Sequence, residues 1–187
     1  GARELSSVLS CPGTDSCKLG ITSSMGLAKE LIKTIEAMNI DDPLIREMHI
    51  KMSGCPNACG QHHLGNVGFH GGTLRSGGKM IPAYEIFLGG EYENTGGSTR
   101  IGDRISVRLP AKRVPEGFKK ILALYLNERH DGERFNAYYE RVGKAPFESA
   151  LAEFHVAGQF GDDPDLFFDW NKSEPYVLER GEGECMS

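Results

Sequence analysis

The sequence lacks three features that would assign the chain to common functional classes. Its 187 residues hold 21 Lys and Arg against 26 Asp and Glu, a net charge of −5, so it offers no basic surface for nucleic acid. No apolar run reaches the roughly 18 residues that a membrane-spanning helix requires. No charged and then apolar signal segment opens the chain either. The sequence therefore predicts a protein of the reducing cytoplasm that binds neither nucleic acid nor a membrane.

Cysteine is scarce as well, and four of the five cysteines lie in two short loops. The first loop, CPGTDSC, begins at Cys11 and ends at Cys17. The second, SGCPNACG, covers residues 53–60 and contains Cys55 and Cys59. Each cysteine pair opens with Cys-Pro, and glycines in both loops let the backbone approach an inorganic body closely. The pattern indicates a metal centre built from two loops.

The residues alone leave three interpretations of these thiols open. Four thiolates from two loops suit a 4Fe-4S cluster, in which each iron takes one soft anionic sulfur. Zinc sites usually separate paired ligands by about two to four residues, which the C-x5-C spacing fits less well. Structural or redox cysteines are the third interpretation. The compact C-x2-C-x2-C run of bacterial ferredoxins is absent, which disfavours a plain electron-carrier ferredoxin. The fifth cysteine, Cys185, is expected to be a mobile tail thiol and not a ligand.

Hydrophobic periodicity predicts a mixed α/β fold of the α+β type, a small mixed or antiparallel sheet of about five strands covered by helices. The predicted strands cover residues 4–9, 49–52, 66–70, 83–88 and 105–109. The predicted helices cover residues 24–39, 115–132, 133–142 and 146–156. Ser23 or Ser24 is expected to cap the first helix, and Asp41-Asp42-Pro43 is expected to end it. A glycine-rich loop that contains Gly71, Gly72, Gly77 and Gly78 is expected to join the third and fourth strands as an antiparallel hairpin.

Three segments together carry a resemblance to a known family. They read CPGTDSCKLGITSSMGLA, MHIKMSGCPNACGQHHLGNVGF and AYEIFLGG. This combination resembles the cluster-bearing C-terminal domain of the siroheme-dependent nitrite and sulfite reductases over roughly residues 10–90, and the later GERFNAYY segment is similar more loosely. The resemblance implies that Cys11, Cys17, Cys55 and Cys59 ligate a 4Fe-4S cluster. It further implies that Cys59 is the axial ligand of the siroheme iron and so takes part directly in catalysis.

The activity that the resemblance implies is the six-electron reduction of nitrite to ammonia or of sulfite to sulfide. On that basis residues 1–158 would form the cluster- and siroheme-binding domain, and residues 159–187 would form a tail packed on it. The family's N-terminal half has no counterpart in this chain and would be a partner, together with a ferredoxin or flavoprotein reductase as electron donor and a small oxyanion as substrate. Since that half supplies most of the anion-binding cations, the isolated chain is expected to be inactive. A stand-alone iron-sulfur electron-transfer module and a zinc-stabilised structural domain remain the alternatives.

Polar residues of the second loop are weaker candidates for cofactor binding. Asn57 would donate its side-chain amide to a cluster sulfur or a siroheme carboxylate, or would instead shape the loop as an Asx-turn. Gln61 would reach a carboxylate, or would face solvent. His62 and His63 could bind a metal or donate a proton, but an exposed pair that leaves the loop is the favoured interpretation, because adjacent side chains diverge and the four-thiolate set is already complete.

Overall fold

A five-stranded sheet lies at the centre of the fold in the computed structural model, which describes residues 8–92, 99–155 and 162–179. The strands are β1 (Leu9–Ser10), β2 (Ile50–Ser53), β3 (Val67–Ser76), β4 (Lys79–Leu88) and β5 (Asp103–Pro110). They are ordered β1-β2-β3-β4-β5 across the sheet. The first two pairings are parallel and the last two antiparallel. The predicted α+β class with a small mixed sheet is confirmed.

Five α-helices accompany the sheet in the described part of the chain. They are α1 (Ser24–Met38), α2 (Pro43–Arg46), α3 (Val114–Glu128), α4 (Phe135–Val142) and α5 (Ala145–His155). Helix α1 begins where the Ser23 hydroxyl accepts a hydrogen bond from Gly26 N at 3.2 Å, and it ends at Asn39, whose φ of 46° is left-handed. Both are ordinary helix-end signals. Among the described helices, none combines the length and the apolarity needed to cross a bilayer.

The two faces of the sheet differ in chemistry because side chains alternate along each strand. One face packs its apolar residues, such as Phe69 and Ile86, under the helices in the hydrophobic core. The opposite face carries a row of polar side chains in register across four strands. The row consists of Ser53, His70, Glu85 and Arg108. It begins at Ser53, which is the last residue of β2 and the first residue of the second cysteine loop.

The structure corrects two details of the predicted elements and describes a third element only in part. Strands β3 and β4 continue past their predicted limits, so Gly71 and Gly72 lie within β3 and the hairpin turn is confined to Gly77 and Gly78. Asp42 does not simply end the chain's first helix, because its carboxylate caps α2 by accepting from Leu44 N at 2.9 Å. Of the strand predicted at residues 4–9, residues 4–7 lie outside the described part of the chain.

The segment 162–179 packs on the body of the fold. Leu166 and Phe167 are buried against Ile81 at the far end of the β3–β4 hairpin. The Trp170 indole donates its Nε1–H to the Ala111 carbonyl at 3.0 Å, and Lys112 Nζ lies 4.1 Å from the centre of its ring. The segment then continues toward the first cysteine loop.

Candidate metal centre

Parallel pairing brings the two cysteine loops to one edge of the sheet. Cys11 follows directly after β1, and Gly54 and Cys55 follow directly after β2. Since Ser10 pairs with Met52 in a parallel register, the carboxyl ends of these strands lie side by side. The pairing continues past the strand, because Cys11 N donates to Met52 O at 3.2 Å. Both loops therefore leave the sheet from the same place.

A hydrogen bond to sulfur joins the loops. The backbone N–H of Gly54 donates to Cys11 Sγ at 3.1 Å. Ser24, at the start of α1, donates its hydroxyl to the Cys11 carbonyl at 2.7 Å and places its oxygen 3.4 Å from Cys11 Sγ. Donors aimed at a cysteine sulfur stabilise the thiolate, which is the form that binds metals.

Glycines allow the loop backbones to touch. A Cβ atom on Gly54 would lie 2.5 Å from Gly13 Cα, and one on Gly71 of β3 would lie 2.3 Å from Gly54 O. Neither distance is sterically possible for a larger residue. Gly13 also has a φ of +56° and lies inside the first loop. The sequence predicts that glycines let the loop backbone approach an inorganic body closely. In the structure, Gly13 and Gly54 also let the two loops approach each other.

The second loop is held in an unusual backbone conformation around Cys59. Ala58 and Gln61, on either side of Cys59, have φ values of 59° and 52°. Left-handed backbone is uncommon for residues other than glycine and concentrates at functional sites. Cys55 is buried, whereas Cys59 is exposed. The loop therefore presents one thiol inward and one outward.

The four thiols are close enough to act on one another electrostatically. Burial raises the pKa of the Cys55 thiol, the Asn57 backbone N–H opposes this, and the fields of Cys11, Cys17 and Cys59 raise the pKa further. Without a metal, four thiolates in this space would repel one another. Thiolates become stable there when a bound cation offsets their charge.

The chemistry of the donor set suits a 4Fe-4S cluster. Such a cluster takes one thiolate at each of four separated irons, and the two loops together supply four free cysteines. Within the described residues, no group of three or more His, Cys, Asp or Glu side chains is arranged to hold one metal ion.

One buried hydroxyl in the first loop also fits a bound group. Thr14 Oγ1 is buried and has no hydrogen-bond partner in the described part of the chain. A buried polar group without a partner costs roughly 1 to 3 kcal/mol. A ligand with acceptor sulfurs would offer this donor a partner.

The predicted polar residues of the second loop have other contacts. Asn57 is exposed, and its backbone faces the thiols: its N–H lowers the pKa of Cys55, and its carbonyl is 4.0 Å from Cys59 Sγ. The Gln61 side chain is exposed and accepts a hydrogen bond from Lys51 Nζ at 2.9 Å. Their proposed contacts with a cofactor stay predictions.

The histidine pair is not exposed as predicted. His62 is only 4% exposed, because a short 3-10 turn at His62–Leu64 folds its ring back under the second loop. Its Nδ1 lies 3.0 Å from Ser53 Oγ, while His63 is half-buried. Sequence reasoning gave no role to Ser53 and considered Ser24 only as a helix cap, although the position of Ser53 directly before the Gly-Cys pair was a possible signal for it.

A cavity of about 480 Å³ lies between the first cysteine loop and segment 162–179, with Cys17 and Lys18 on one side. On the other side, the Tyr176 hydroxyl donates to Ile21 O at 2.9 Å. Asp169 Oδ2 accepts from Ser23 N at 2.7 Å. Burial raises the pKa of Asp169 to about 6. The segment thus supports the residues that connect the first loop to α1.

Comparisons with known proteins agree with this geometry. Residues 1–158 match the family model described as the nitrite and sulphite reductase 4Fe-4S domain. The sulfite reductase [NADPH] hemoprotein beta-component of Anoxybacillus flavithermus is 29% identical over 148 residues, which are 79% of this chain and 24% of that protein. The ferredoxin–nitrite reductase of Synechococcus elongatus is 28% identical over 114 residues, 61% of this chain and 21% of that protein. The chain spans about a quarter of the length of these relatives.

The fold is also found among solved structures. The structure of the Mycobacterium tuberculosis NirA protein aligns with a TM-score of 0.62 at 22% identity, covering 75% of this chain and 26% of that one. At this identity the likeness concerns the fold alone.

Proposed function

Because the chain belongs to the family of nitrite and sulphite reductase 4Fe-4S domains, we propose that residues 1–158 are the cluster- and siroheme-binding part of a larger nitrite or sulfite reductase. In this proposal residues 159–187 are a tail, of which the described residues 162–179 support the first cysteine loop. The family membership confirms the 4Fe-4S type of cluster expected from the sequence. Siroheme is supported by the word hemoprotein in the name of the Anoxybacillus relative and by the resemblance of the cysteine loops.

The observation that carries the proposal is the hydrogen bond from Gly54 N to Cys11 Sγ at 3.1 Å. It joins two loops that are separated along the chain and together supply four thiols. In the proposed site, Cys11, Cys17, Cys55 and Cys59 hold the cluster. The N–H groups of Gly54 and Asn57 face the Cys11 and Cys55 sulfurs, so they stabilise the thiolates without adding charge.

Cys59 has the proposed role of linking the cluster to the siroheme iron. Its exposure at the surface of the second loop leaves its sulfur accessible to a second cofactor. The left-handed residues on either side, Ala58 and Gln61, turn the loop sharply at this point. When bound, the cofactors would supply electron storage and the site of anion reduction. The chain's own contribution is to hold the thiols in place and to keep Cys55 away from water.

The complete enzyme has further proposed partners. The names of the relatives include NADPH and ferredoxin as electron sources, so we expect a flavoprotein reductase or a ferredoxin as donor. The substrate is nitrite or sulfite, and cations that compensate its charge are expected from the enzyme's N-terminal half. The isolated chain is therefore expected not to turn over either anion. A reducing cytosol, in which free thiols persist, is the proposed location.

The test is metal and sulfide analysis of anaerobically prepared protein, combined with a visible spectrum before and after siroheme is supplied. The proposal predicts iron and acid-labile sulfide in equal amounts, and a haem band when siroheme is added to the complete enzyme. Iron and sulfide without any haem band would identify a stand-alone iron-sulfur module. A colourless protein with one zinc per chain would identify a structural domain. In the complete enzyme, Cys59→Ser should disturb both cofactors, whereas Cys11→Ser should remove the cluster first.

A further inference from the structure

We propose that Ser53 and His62 are positioning residues that fix the Cys59 end of the second cysteine loop through the backbone of Gly60. The inference rests on the proposed function, because it assigns these residues to retention of the same cluster. Neither side chain is expected to touch the cofactor. Their effect is on the position of the Cys59 sulfur, one residue before Gly60.

The contacts form a short chain of hydrogen bonds. Gly60 N donates to Ser53 Oγ at 3.0 Å, and Ser53 Oγ lies 3.0 Å from His62 Nδ1. Ser53 is 1% exposed and His62 is 4% exposed, so water does not compete for these groups. Buried hydrogen bonds of this kind hold their partners in one arrangement. The Ser53 hydroxyl therefore connects Gly60 of the second loop both to β2, where Ser53 lies, and to the 3-10 turn that begins at His62.

The loop needs such a tether at this point. Ala58 and Gln61 hold left-handed φ values of 59° and 52°, a conformation that persists only where surrounding contacts enforce it. Gly60 lies so close to β2 that a Cβ atom there would be 1.8 Å from Met52 O. The hydrogen bond to Ser53 Oγ holds the Gly60 N–H in place where the loop backbone lies against β2. Without it, the left-handed residues are free to relax and to move Cys59.

His62 is itself immobilised from the other side. Its ring packs against His70 and Phe87, with centroid distances of 4.9 Å and 4.8 Å. Its carbonyl lies over Gly68, where a Cβ atom would be 1.8 Å from the oxygen. The row that begins at Ser53 thus connects the loop to the rigid centre of the sheet. A ring fixed by packing is a better anchor for a hydroxyl than a flexible side chain.

The test separates the hydrogen bond from the packing of the ring. His62→Asn keeps an amide atom near the position of Nδ1, whereas His62→Phe keeps an aromatic ring and loses the polar atom. Ser53→Ala removes the hydroxyl with the smallest change in volume. His63→Asn, at the half-buried neighbour, is the matched control. Each variant of the full chain is reconstituted with iron and sulfide, its unfolding in urea is recorded, and cluster loss to a chelator is followed by the visible band.

We expect Ser53→Ala and His62→Phe to lose the cluster about 10- to 100-fold faster than the wild type, and to change the electron paramagnetic resonance signal of the reduced cluster. His62→Asn and His63→Asn should keep the wild-type rate and signal. The double variant Ser53→Ala/His62→Phe should be no worse than the single variants, because both act through one contact. If His62→Phe does not fold, the rate of cluster loss from Ser53→Ala alone tests the inference.

Two results would overturn the inference. Equal rates for Ser53→Ala and the wild type would show that the hydroxyl does not position the loop. Fast loss from His62→Asn together with a wild-type rate in His62→Phe would show that the ring acts by packing and not through its Nδ1 atom. Both leave the proposed function standing, since the wild type holds its cluster in each. Wild-type protein that takes up no iron and sulfide would instead refute the proposed function, and the inference with it.

Discussion

The sulfur of Cys11 accepts a hydrogen bond from the backbone N–H of Gly54, 43 residues away in the sequence, at 3.1 Å. Each of the two residues follows directly after one of two neighbouring parallel strands, β1 and β2. The pairing of these strands, and not the sequence between the loops, therefore sets the relation between the two halves of the candidate centre. A substitution that separates the strand ends should affect all four thiols together.

The first prediction concerns the close approach of the loops. A Cβ atom at Gly54 would lie 2.5 Å from Gly13 Cα and 2.7 Å from Thr22 O, both rigid backbone atoms. Gly54→Ala should lower the free energy of unfolding by about 1 to 3 kcal/mol and should reduce the iron bound per chain. Urea unfolding and iron analysis measure the two effects.

Gly72→Ala is the matched control, because a Cβ atom there meets only the Arg108 side chain, at 3.8 Å or more. This variant should keep its stability and its iron content. Equal losses in the two variants would show that glycine is needed in this region for a reason other than contact between the loops.

The second prediction concerns the contact between the tail and the first loop. Tyr176→Phe removes the hydrogen bond to Ile21 O and should cost about 1 kcal/mol of unfolding free energy. Tyr92→Phe, at a side chain that is 51% exposed, should change it by less than about 0.5 kcal/mol. Urea unfolding of both variants measures the difference. Wild-type stability in Tyr176→Phe would mean that this bond does not hold the tail.

The third prediction concerns pH. Burial raises the pKa of Asp169 from 3.8 to about 6, so the folded protein binds this proton more tightly than the unfolded chain does. The contribution of the group to stability is therefore fully present below about pH 4 and is lost as the pH rises to 6, by an amount on the order of 3 kcal/mol. The side chain introduced by Asp169→Asn cannot ionise, so this variant should not lose stability for that reason over the same pH range.

Unfolding free energies of the wild type and of Asp169→Asn, measured in urea between pH 4 and 7, provide the check. The stability of the variant relative to the wild type should increase across this range. The substitution also removes hydrogen bonds that the carboxylate accepts. Because that loss does not depend on pH, it only adds a constant difference between the two stability curves. Parallel curves would contradict the raised pKa.

The sequence predicted those parts of the fold that local pattern encodes. Helix α1 was expected at residues 24–39 and is found at Ser24–Met38, since its apolar stripe and its serine cap are both local signals. Helix α2 was missed because four residues are too few to show a period. The α+β class followed from the same patterns, whereas the parallel pairing of β1 with β2 depends on contacts between distant segments.

Strands β3 and β4 show why glycine and proline misled the prediction. The sequence predicts that Gly71 lies in a turn, but it lies within β3 because only glycine fits against Gly54 O. The predicted strand begins after Pro82, yet Pro82 belongs to β4 and pairs with Thr73. Strand β5 pairs with β4 only from Ala83 onward, so Pro82 lies where one edge of β4 has no strand beside it, a position that proline tolerates.

The sequence pointed to the cysteines of the candidate site and not to the residues that support them. The structure brings the two Cys-Pro loops together at one edge of the sheet, while the ligand roles of the four thiols stay a proposal. The burial of His62 depends on a 3-10 turn and on packing against His70 and Phe87, which come from other elements of the chain. For the same reason the hydrogen bond between Ser53 and Gly60 has no counterpart in the linear pattern.

The central claim is that Cys11, Cys17, Cys55 and Cys59 together hold one 4Fe-4S cluster, and native mass spectrometry of anaerobically prepared chain tests it most directly. We predict that the wild type and Cys185→Ser carry the added mass of about four irons and four sulfides, and that this mass is lost from a variant with all four loop cysteines changed to serine. A wild-type chain that carries a single zinc ion, or a four-cysteine variant that retains the iron and sulfide, would contradict the claim.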